Sequence, residues 1–124
     1  MSQLVVKEFD LYDHIEFDED GKPRRGTPAS LTLQGNNFNK ILLARVSGNP
    51  GAYWLTIQAE APKPYRINVR IPTHHIVIRD GGDAYIVIDL PLSNPPPGLY
   101  IFRILLAGTV IGELKLDFEI VEGV

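Results

Sequence analysis

The chain has 124 residues, no cysteine, 44% hydrophobic and 22% charged residues, and a formal net charge of −3. This length suits one domain, and the balance of apolar and charged residues is that of a folded protein rather than a disordered one. The absence of cysteine excludes disulfides, thiolate nucleophiles and Cys-ligated zinc, and it fits a reducing compartment.

At the N-terminus, residues 1–7 lack the basic and apolar regions of a secretory signal. No apolar stretch in the sequence approaches the ~20 residues that cross a bilayer. We therefore expect a cytoplasmic location and no membrane partner.

Alternation of apolar and polar residues predicts short strands along the chain. The clearest case is residues 114–120, where Leu, Leu, Phe and Ile alternate with Lys, Asp and Glu. No segment sustains the i, i+3, i+4, i+7 spacing of a helix. In chain order, strands are predicted at residues 4–17, 31–33, 41–46, 53–59, 66–71, 74–79, 85–90, 99–107 and 114–120.

Segments rich in glycine, proline and asparagine separate these strands, and such residues favour turns. Eight or nine short strands with short connections predict an all-β fold, an antiparallel immunoglobulin-like β-sandwich. We expect a single domain over residues 1–124, in which residues 1–26 form an N-terminal strand or hairpin extension.

Three short motifs occur in order between residues 27 and 121. Residues 27–38 end in Gly35-Asn36-Asn37-Phe38, residues 66–72 form an alternating segment that closes in proline, and Pro97-Gly98-Leu99-Tyr100 opens an apolar strand. Together they resemble the transcription-factor immunoglobulin domains called TIG or IPT. The resemblance implies an immunoglobulin-like core over residues 27–121 that serves as a dimerisation, spacer or ligand-contact module, since domains of this family share no catalytic residues.

The paired histidines and the acidic run do not predict a metal site. Neighbours in a strand point to opposite faces, so His74 and His75 are poorly placed to chelate one ion. Residues 18–21 resemble the start of a calcium loop, but Lys22 and Ala29 stand where that loop requires oxygen ligands. A solvated hairpin turn is the better interpretation.

Catalytic motifs are absent from the sequence. No serine lies in a Gly-x-Ser-x-Gly setting, and there is no glycine-rich phosphate loop. We expect no catalytic residue, no cofactor and no enzyme activity. The alternative is a cleft that gathers His14 or His74 with carboxylates.

The single tryptophan is a candidate binding residue. If Tyr53, Leu55 and Ile57 face the core, alternation places Trp54 on the opposite face. Exposed tryptophan favours the binding of protein or sugar rings. This predicts a carbohydrate- or peptide-binding site at Trp54 with Tyr53 or Tyr65 nearby, unless the strand phase is inverted or a loop covers the ring.

Two predicted strands are apolar on both faces. In residues 99–107, the second apolar face carries Ile101 and Leu105, with Arg103 between them. Residues 41–46 show the same pattern, with Ile41 and Leu43 on one of two apolar faces. Such a strand needs two covers, one of which is the sandwich core. The other is either residues 1–26 folded over the sheet or another subunit, and we expect these five residues to form an interface.

Charge is segregated along the chain. Residues 1–20 carry a net charge of −6, residues 21–79 carry +8, and residues 80–124 carry −5. These zones either meet within the monomer or pair between copies. Nucleic acid is a less favoured partner because the sequence pI is near 5.5.

These patterns favour a non-enzymatic structural module that packs against copies of itself or a larger scaffold, as a virion decoration or tail protein does. On this hypothesis the protein is cytoplasmic or assembled into a virion. The alternative is the carbohydrate- or peptide-binding module centred on Trp54.

Overall fold

The computed structural model describes residues 4–33, 37–67, 69, 71–80 and 82–120, and within them it contains nine strands and no helix. The predicted all-β, antiparallel sandwich of eight or nine strands is confirmed. The strands are β1 (Leu4–Phe17), β2 (Pro23–Pro28), β3 (Thr32–Leu33), β4 (Asn37–Gly48), β5 (Gly51–Glu60), β6 (Thr73–Ile78), β7 (Asp83–Ser93), β8 (Gly98–Leu106) and β9 (Thr109–Ile120).

The strands form two sheets. The four-stranded sheet has the order β2-β1-β4-β7, and the five-stranded sheet has the order β3-β9-β8-β5-β6. Neighbours pair antiparallel except β3, which runs parallel to β9. The chain crosses between the sheets after β2, β3, β4, β6 and β7, and the crossings after β4, β6 and β7 give the Greek-key connectivity of immunoglobulin-like sandwiches.

The core lies between the two sheets and follows the alternation of the strands. Inward-facing residues from both sheets form one cluster, in which Leu42 and Val46 of β4 join Leu55 and Ile57 of β5. Tyr100 and the two next inward residues of β8 are also fully buried in this cluster. Burial of large apolar side chains at about 1.5–3 kcal/mol each is the main term that holds the sheets together.

A tyrosine ties the loop between β7 and β8 to the core. The Tyr100 hydroxyl donates a hydrogen bond to the carbonyl oxygen of Pro96 at 2.6 Å, and its ring packs edge-to-face on Phe118 with centroids 4.8 Å apart. A tyrosine near the start of this strand that bonds back to the backbone is the tyrosine corner of immunoglobulin-like sandwiches. It fixes the connection between the sheets.

A buried lysine ties the N-terminal hairpin to the same sheet. Lys40 Nζ lies 2.5 Å from Asp13 Oδ1 and also donates to the Ser30 carbonyl at 3.1 Å. The Ser30 amide donates to the other Asp13 oxygen at 2.9 Å. Since Lys40 is 4% exposed, these contacts satisfy a charge that would otherwise be buried alone.

The N-terminal segment is a hairpin within the four-stranded sheet. β1 lies between β2 and β4, and the Asp18 amide donates to the Lys22 carbonyl at 2.9 Å to close the turn. The predicted hairpin turn at residues 18–21 is therefore confirmed. The strand β2 was not predicted because residues 23–28 are mostly polar and include two prolines.

The strand predicted at residues 66–71 is wrong. Of these, residues 66, 67, 69 and 71 lie outside any strand, and residues 68 and 70 are not among the described residues. The reason is that β6 already occupies the free side of β5, from Gly51 to Thr56. Ile67 and Val69 instead pack against the core without joining a ladder. Residues 35 and 36 of the Gly-x-Asn-Phe motif also lie outside the described part of the chain.

Candidate functional site on the five-stranded sheet

The outer surface of the five-stranded sheet is the candidate functional site. Alternation places every second residue of β5, β6, β8 and β9 there, away from the core. We call this surface the Trp54 face and define it by these residues: Trp54, Thr56, Thr73, His75, Val77, Leu99, Ile101, Arg103, Leu105 and Val110.

Several large apolar side chains on this face are open to solvent. Trp54 is 63% exposed, Val77 52%, Leu99 49% and Val110 47%. Leu105 lies opposite both Thr56 of β5 and Val110 of β9, so it connects the apolar residues across the sheet. Exposed apolar groups that gather on one surface are typical of interaction sites.

The charge at the centre of the Trp54 face is already paired. Arg103 Nε donates to Glu113 Oε2 at 2.9 Å, and Arg103 Nη1 lies 3.2 Å from Glu60 Oε1. Lys115 Nζ lies 3.5 Å from the other oxygen of Glu113. The Arg103 guanidinium therefore already has carboxylate partners on both neighbouring strands within its own chain.

These contacts perturb both partners. The hydrogen bonds to Glu113 and then Glu60 raise the pKa of the Arg103 guanidinium. The hydrogen bond from Arg103 lowers the pKa of Glu113, and Lys115 adds to that effect. Both shifts favour the charged forms of Arg103 and Glu113, so their contact is a structural ion pair with no proton to exchange at neutral pH.

The predicted binding residues are separated by the structure. Trp54 points outward as alternation required, whereas Tyr53 lies on the other side of β5, and its hydroxyl donates to the Asn49 carbonyl at 2.7 Å. Tyr65 follows the end of β5, and its hydroxyl accepts from the Ser93 amide at 3.1 Å. The Trp54 ring instead lies beside His75, a partner that strand alternation alone did not identify.

Tyr65 belongs to a different concave surface. A groove of about 690 Å³ is lined by residues 59–61 and 63–67, which include Glu60, Lys63 and Arg66. Glu60 is about 20 Å along β5 from Trp54, at roughly 3.3 Å per residue. The groove therefore begins at the far end of β5 from Trp54.

The predicted interface residues fall on two opposite surfaces. Ile101, Arg103 and Leu105 lie on the Trp54 face, and β1 and β2 lie in the other sheet, so the N-terminal hairpin does not cover them. Ile41 and Leu43 lie on the outer surface of the four-stranded sheet. Leu43 is 4% exposed within its own chain, between Asp10 and Val87 on the neighbouring strands.

Part of the charge segregation is resolved within the chain. The acidic N-terminal zone meets the basic zone at Asp13 and Lys40, and the basic zone meets the acidic C-terminal zone where Arg45 Nη1 lies 3.9 Å from Asp83 Oδ2. Glu60 and Arg103 add a third contact between zones. These pairs are the cross-strand arrangement that stabilises a sheet.

The described residues hold no group of three or more His, Asp or Glu side chains that could bind a metal ion. His74 points inward from β6, and its Nε2 is buried without a hydrogen-bond partner in the described structure. In the same part of the chain, no helix has the length and apolarity that crossing a membrane requires.

Comparison with models of known protein families and with curated proteins finds no match for this sequence.

Proposed function

We propose that this protein is a non-enzymatic assembly module that packs through its Trp54 face against a second copy of the same chain. One observation carries the proposal: Trp54, Val77, Leu99 and Val110 are about half or more exposed and share one sheet surface. Elsewhere among the described residues, the exposed large apolar side chains are Val5, Phe17, Leu31, Ile71 and Val87.

The ion pairs around Arg103 favour a second copy as the partner. Arg103 and Lys115 are matched by Glu60 and Glu113 through the contacts already described. Charges that are paired within the chain select neither a strongly acidic nor a strongly basic partner there. Two-fold pairing of identical surfaces is also the commonest mode of assembly in soluble proteins.

Coverage of this face would leave few unsatisfied groups. Because Arg103 already has carboxylate partners on both sides, burying it does not strand an unpaired charge. Apolar side chains at both ends of the face would gain contacts, and sheets commonly pack face to face about 10 Å apart. The resemblance to TIG or IPT domains, which implies a dimerisation or spacer role, supports the same proposal.

More specifically, we propose that the module assembles on a virion, as a decoration or tail protein. Such proteins repeat a small β-sandwich across a scaffold, and the cysteine-free composition fits assembly in a reducing compartment. In this form the second copy is a neighbouring subunit on the scaffold.

Sedimentation velocity from low micromolar to millimolar concentration tests the proposal. We expect the wild type to associate and the Trp54→Lys variant to remain monomeric, because an unpaired charge within the contact must be desolvated. Val5→Lys is the matched control, since Val5 is similarly exposed but lies on the four-stranded sheet. A wild type that stays monomeric throughout, or equal effects of both variants, contradicts the proposal.

A carbohydrate- or peptide-binding module is the second candidate, favoured by the exposure of Trp54. Stacking of a sugar ring on the indole would shift or quench its fluorescence. Titration of the wild type with a panel of glycans and peptides is the test. A saturable change that Trp54→Ala abolishes supports this function, and a flat response across the panel removes it.

A further inference from the structure

The strand β6 forms an open edge of the five-stranded sheet. It is the last strand in the sheet order and pairs with β5 from Thr73 to Ile78 without a break in register. Within the described residues no other strand pairs with it. The backbone groups on its far side are therefore available to another chain.

The direction of those backbone groups follows from one hydrogen bond. The Ile57 amide donates to the Pro72 carbonyl at 2.7 Å, one position beyond the end of the ladder. In an antiparallel pair, residues that bond across alternate with residues that do not. His74, Ile76 and Ile78 therefore bond to β5, and the residues between them do not.

It follows that Thr73, His75 and Val77 direct their N–H and C=O groups away from β5. All three residues are exposed. None of their backbone groups has a hydrogen-bond partner elsewhere in the described part of the chain. The edge thus offers a row of three donors and three acceptors.

β6 also lacks the usual protection of an edge strand. Edge strands normally carry proline, lysine or a bulge that prevents pairing with another chain. The edge strand β2 contains Pro23, Arg24, Arg25 and Pro28. The edge strand β7 contains Asp83, Asp89 and Pro91. By contrast, the sequence of β6 is Thr-His-His-Ile-Val-Ile.

We propose that β6 pairs antiparallel with β6 of a second copy, with His75 opposite its own counterpart on a two-fold axis. In this register Thr73 lies opposite Val77 of the other copy, and all outward backbone groups of both strands form hydrogen bonds, six in total. This inference rests on the proposed self-association and adds a second contact to it, because pairing at the edge leaves the Trp54 face of the joined sheets free to pack on another copy.

The pairing is continuous with the Trp54 face. The side chains of Thr73, His75 and Val77 lie on that face, and the Trp54 and His75 rings are 4.7 Å apart. Joining two β6 strands therefore places two Trp54–His75 pairs side by side across the axis. The two five-stranded sheets become one sheet of ten strands with a shared apolar surface.

A proline at position 77 tests the edge contact. Because the Val77 amide does not bond to β5, Val77→Pro removes an outward donor and leaves the β5–β6 ladder intact. We expect the dimer dissociation constant to rise about tenfold or more, since two symmetry-related hydrogen bonds are lost. Val77→Thr, which keeps the amide and the branched side chain, is the control and should dimerise like the wild type.

Two variants with opposite charges at position 75 test the same contact without a proline in β6. His75→Lys and His75→Glu should each lose the edge-paired dimer, because like charges would face each other on the axis, and an equimolar mixture should restore it. Sedimentation velocity measures both series. An unchanged dissociation constant in Val77→Pro, or the absence of rescue in the mixture, overturns the β6 contact and leaves the proposed function standing. A monomeric wild type overturns both.

Discussion

Trp54 and His75 lie directly opposite each other on β5 and β6, with ring centroids 4.7 Å apart and ring planes at 48°. They form a pair that exchanges no backbone hydrogen bond, and such pairs bring side chains closest together in an antiparallel sheet. The pair stands where the exposed apolar face meets the open edge. It is therefore the point at which a second copy would make contact with both.

The exposure of Trp54 gives the first prediction. Trp54→Ala should change the free energy of unfolding of the monomer by less than about 1 kcal/mol, because the ring is mostly in water. Leu55→Ala, one residue away but fully buried, should lower it by about 2–5 kcal/mol. Urea unfolding at low protein concentration compares the two. Similar losses would show that the indole is part of the monomer core.

The buried lysine predicts an asymmetry between two variants. Asp13→Asn leaves the Lys40 charge in a buried position without its carboxylate, and we expect a loss of about 2 kcal/mol. Lys40→Met removes the buried charge and keeps an apolar stem, so it should destabilise less. Urea unfolding at neutral pH measures both variants. An equal or larger loss in Lys40→Met contradicts this account of the pair.

The same pair predicts how stability depends on pH. Burial alone would raise the pKa of Asp13, but the hydrogen bonds from Lys40 and Ser30 outweigh it and hold that pKa below 3.8. The native state therefore keeps the carboxylate charged, and its contribution is complete above that value. As the pH falls through the lower native pKa, this stability is lost. The loss of stability at low pH should be smaller in Lys40→Met than in the wild type. Parallel profiles of unfolding free energy against pH for the two proteins would contradict this prediction.

The tyrosine corner gives a further prediction. Tyr100→Phe removes the hydrogen bond to Pro96 in a fully buried position, which should cost about 1–2 kcal/mol. Tyr53→Phe removes a more exposed hydroxyl and should cost less. Thermal or urea unfolding separates the two variants. If both lose the same amount, the corner does not contribute specially to stability.

Tyr100 should also affect stability at high pH. Burial, with a contribution from Tyr65, raises its pKa from 10.0 to about 12. The native state therefore holds this proton more tightly, and the stabilisation is complete below pH 10 and lost as the pH rises toward about 12. Tyr100→Phe should lack this part of the alkaline loss. An unchanged alkaline profile in the variant contradicts the assignment.

The turn between β8 and β9 contains an alanine in an unfavourable conformation. Ala107 has a φ of 51° and Gly108 a φ of 81°, as a two-residue type I′ hairpin turn requires. Ala107→Gly should raise the free energy of unfolding by up to about 1 kcal/mol because it relieves the left-handed conformation. Gly108→Ala should lower it by a similar amount. Opposite signs in urea unfolding are expected, and destabilisation by Ala107→Gly would contradict the turn assignment.

Local patterns were sufficient for the strands and for the direction of single side chains. Alternation in residues 53–59 correctly places Trp54 outside and Leu55 inside, because neighbouring side chains in a strand must point to opposite faces. The turn at residues 18–21 was also predictable from its composition. Each of these features depends on residues close together in the chain.

Relations between distant strands were not predictable in the same way. Ile41 and Ile101 have similar alternating surroundings, yet they lie on opposite surfaces because β4 and β8 belong to different sheets. The alternation of residues 66–71 is typical of a strand, but β6 takes the available edge of β5. The open edge of β6 itself depends on strand order, which residue patterns do not encode.

Hydrogen–deuterium exchange of the full chain at low and high protein concentration tests the central claim most directly, because it locates the contact as well as detecting it. The account predicts that protection rises with concentration on β6, above all at the outward amides of Thr73, His75 and Val77, and stays constant on β1 and β2. Exchange that is unchanged on β6 at every concentration, or protection that rises on the N-terminal hairpin instead, would contradict it.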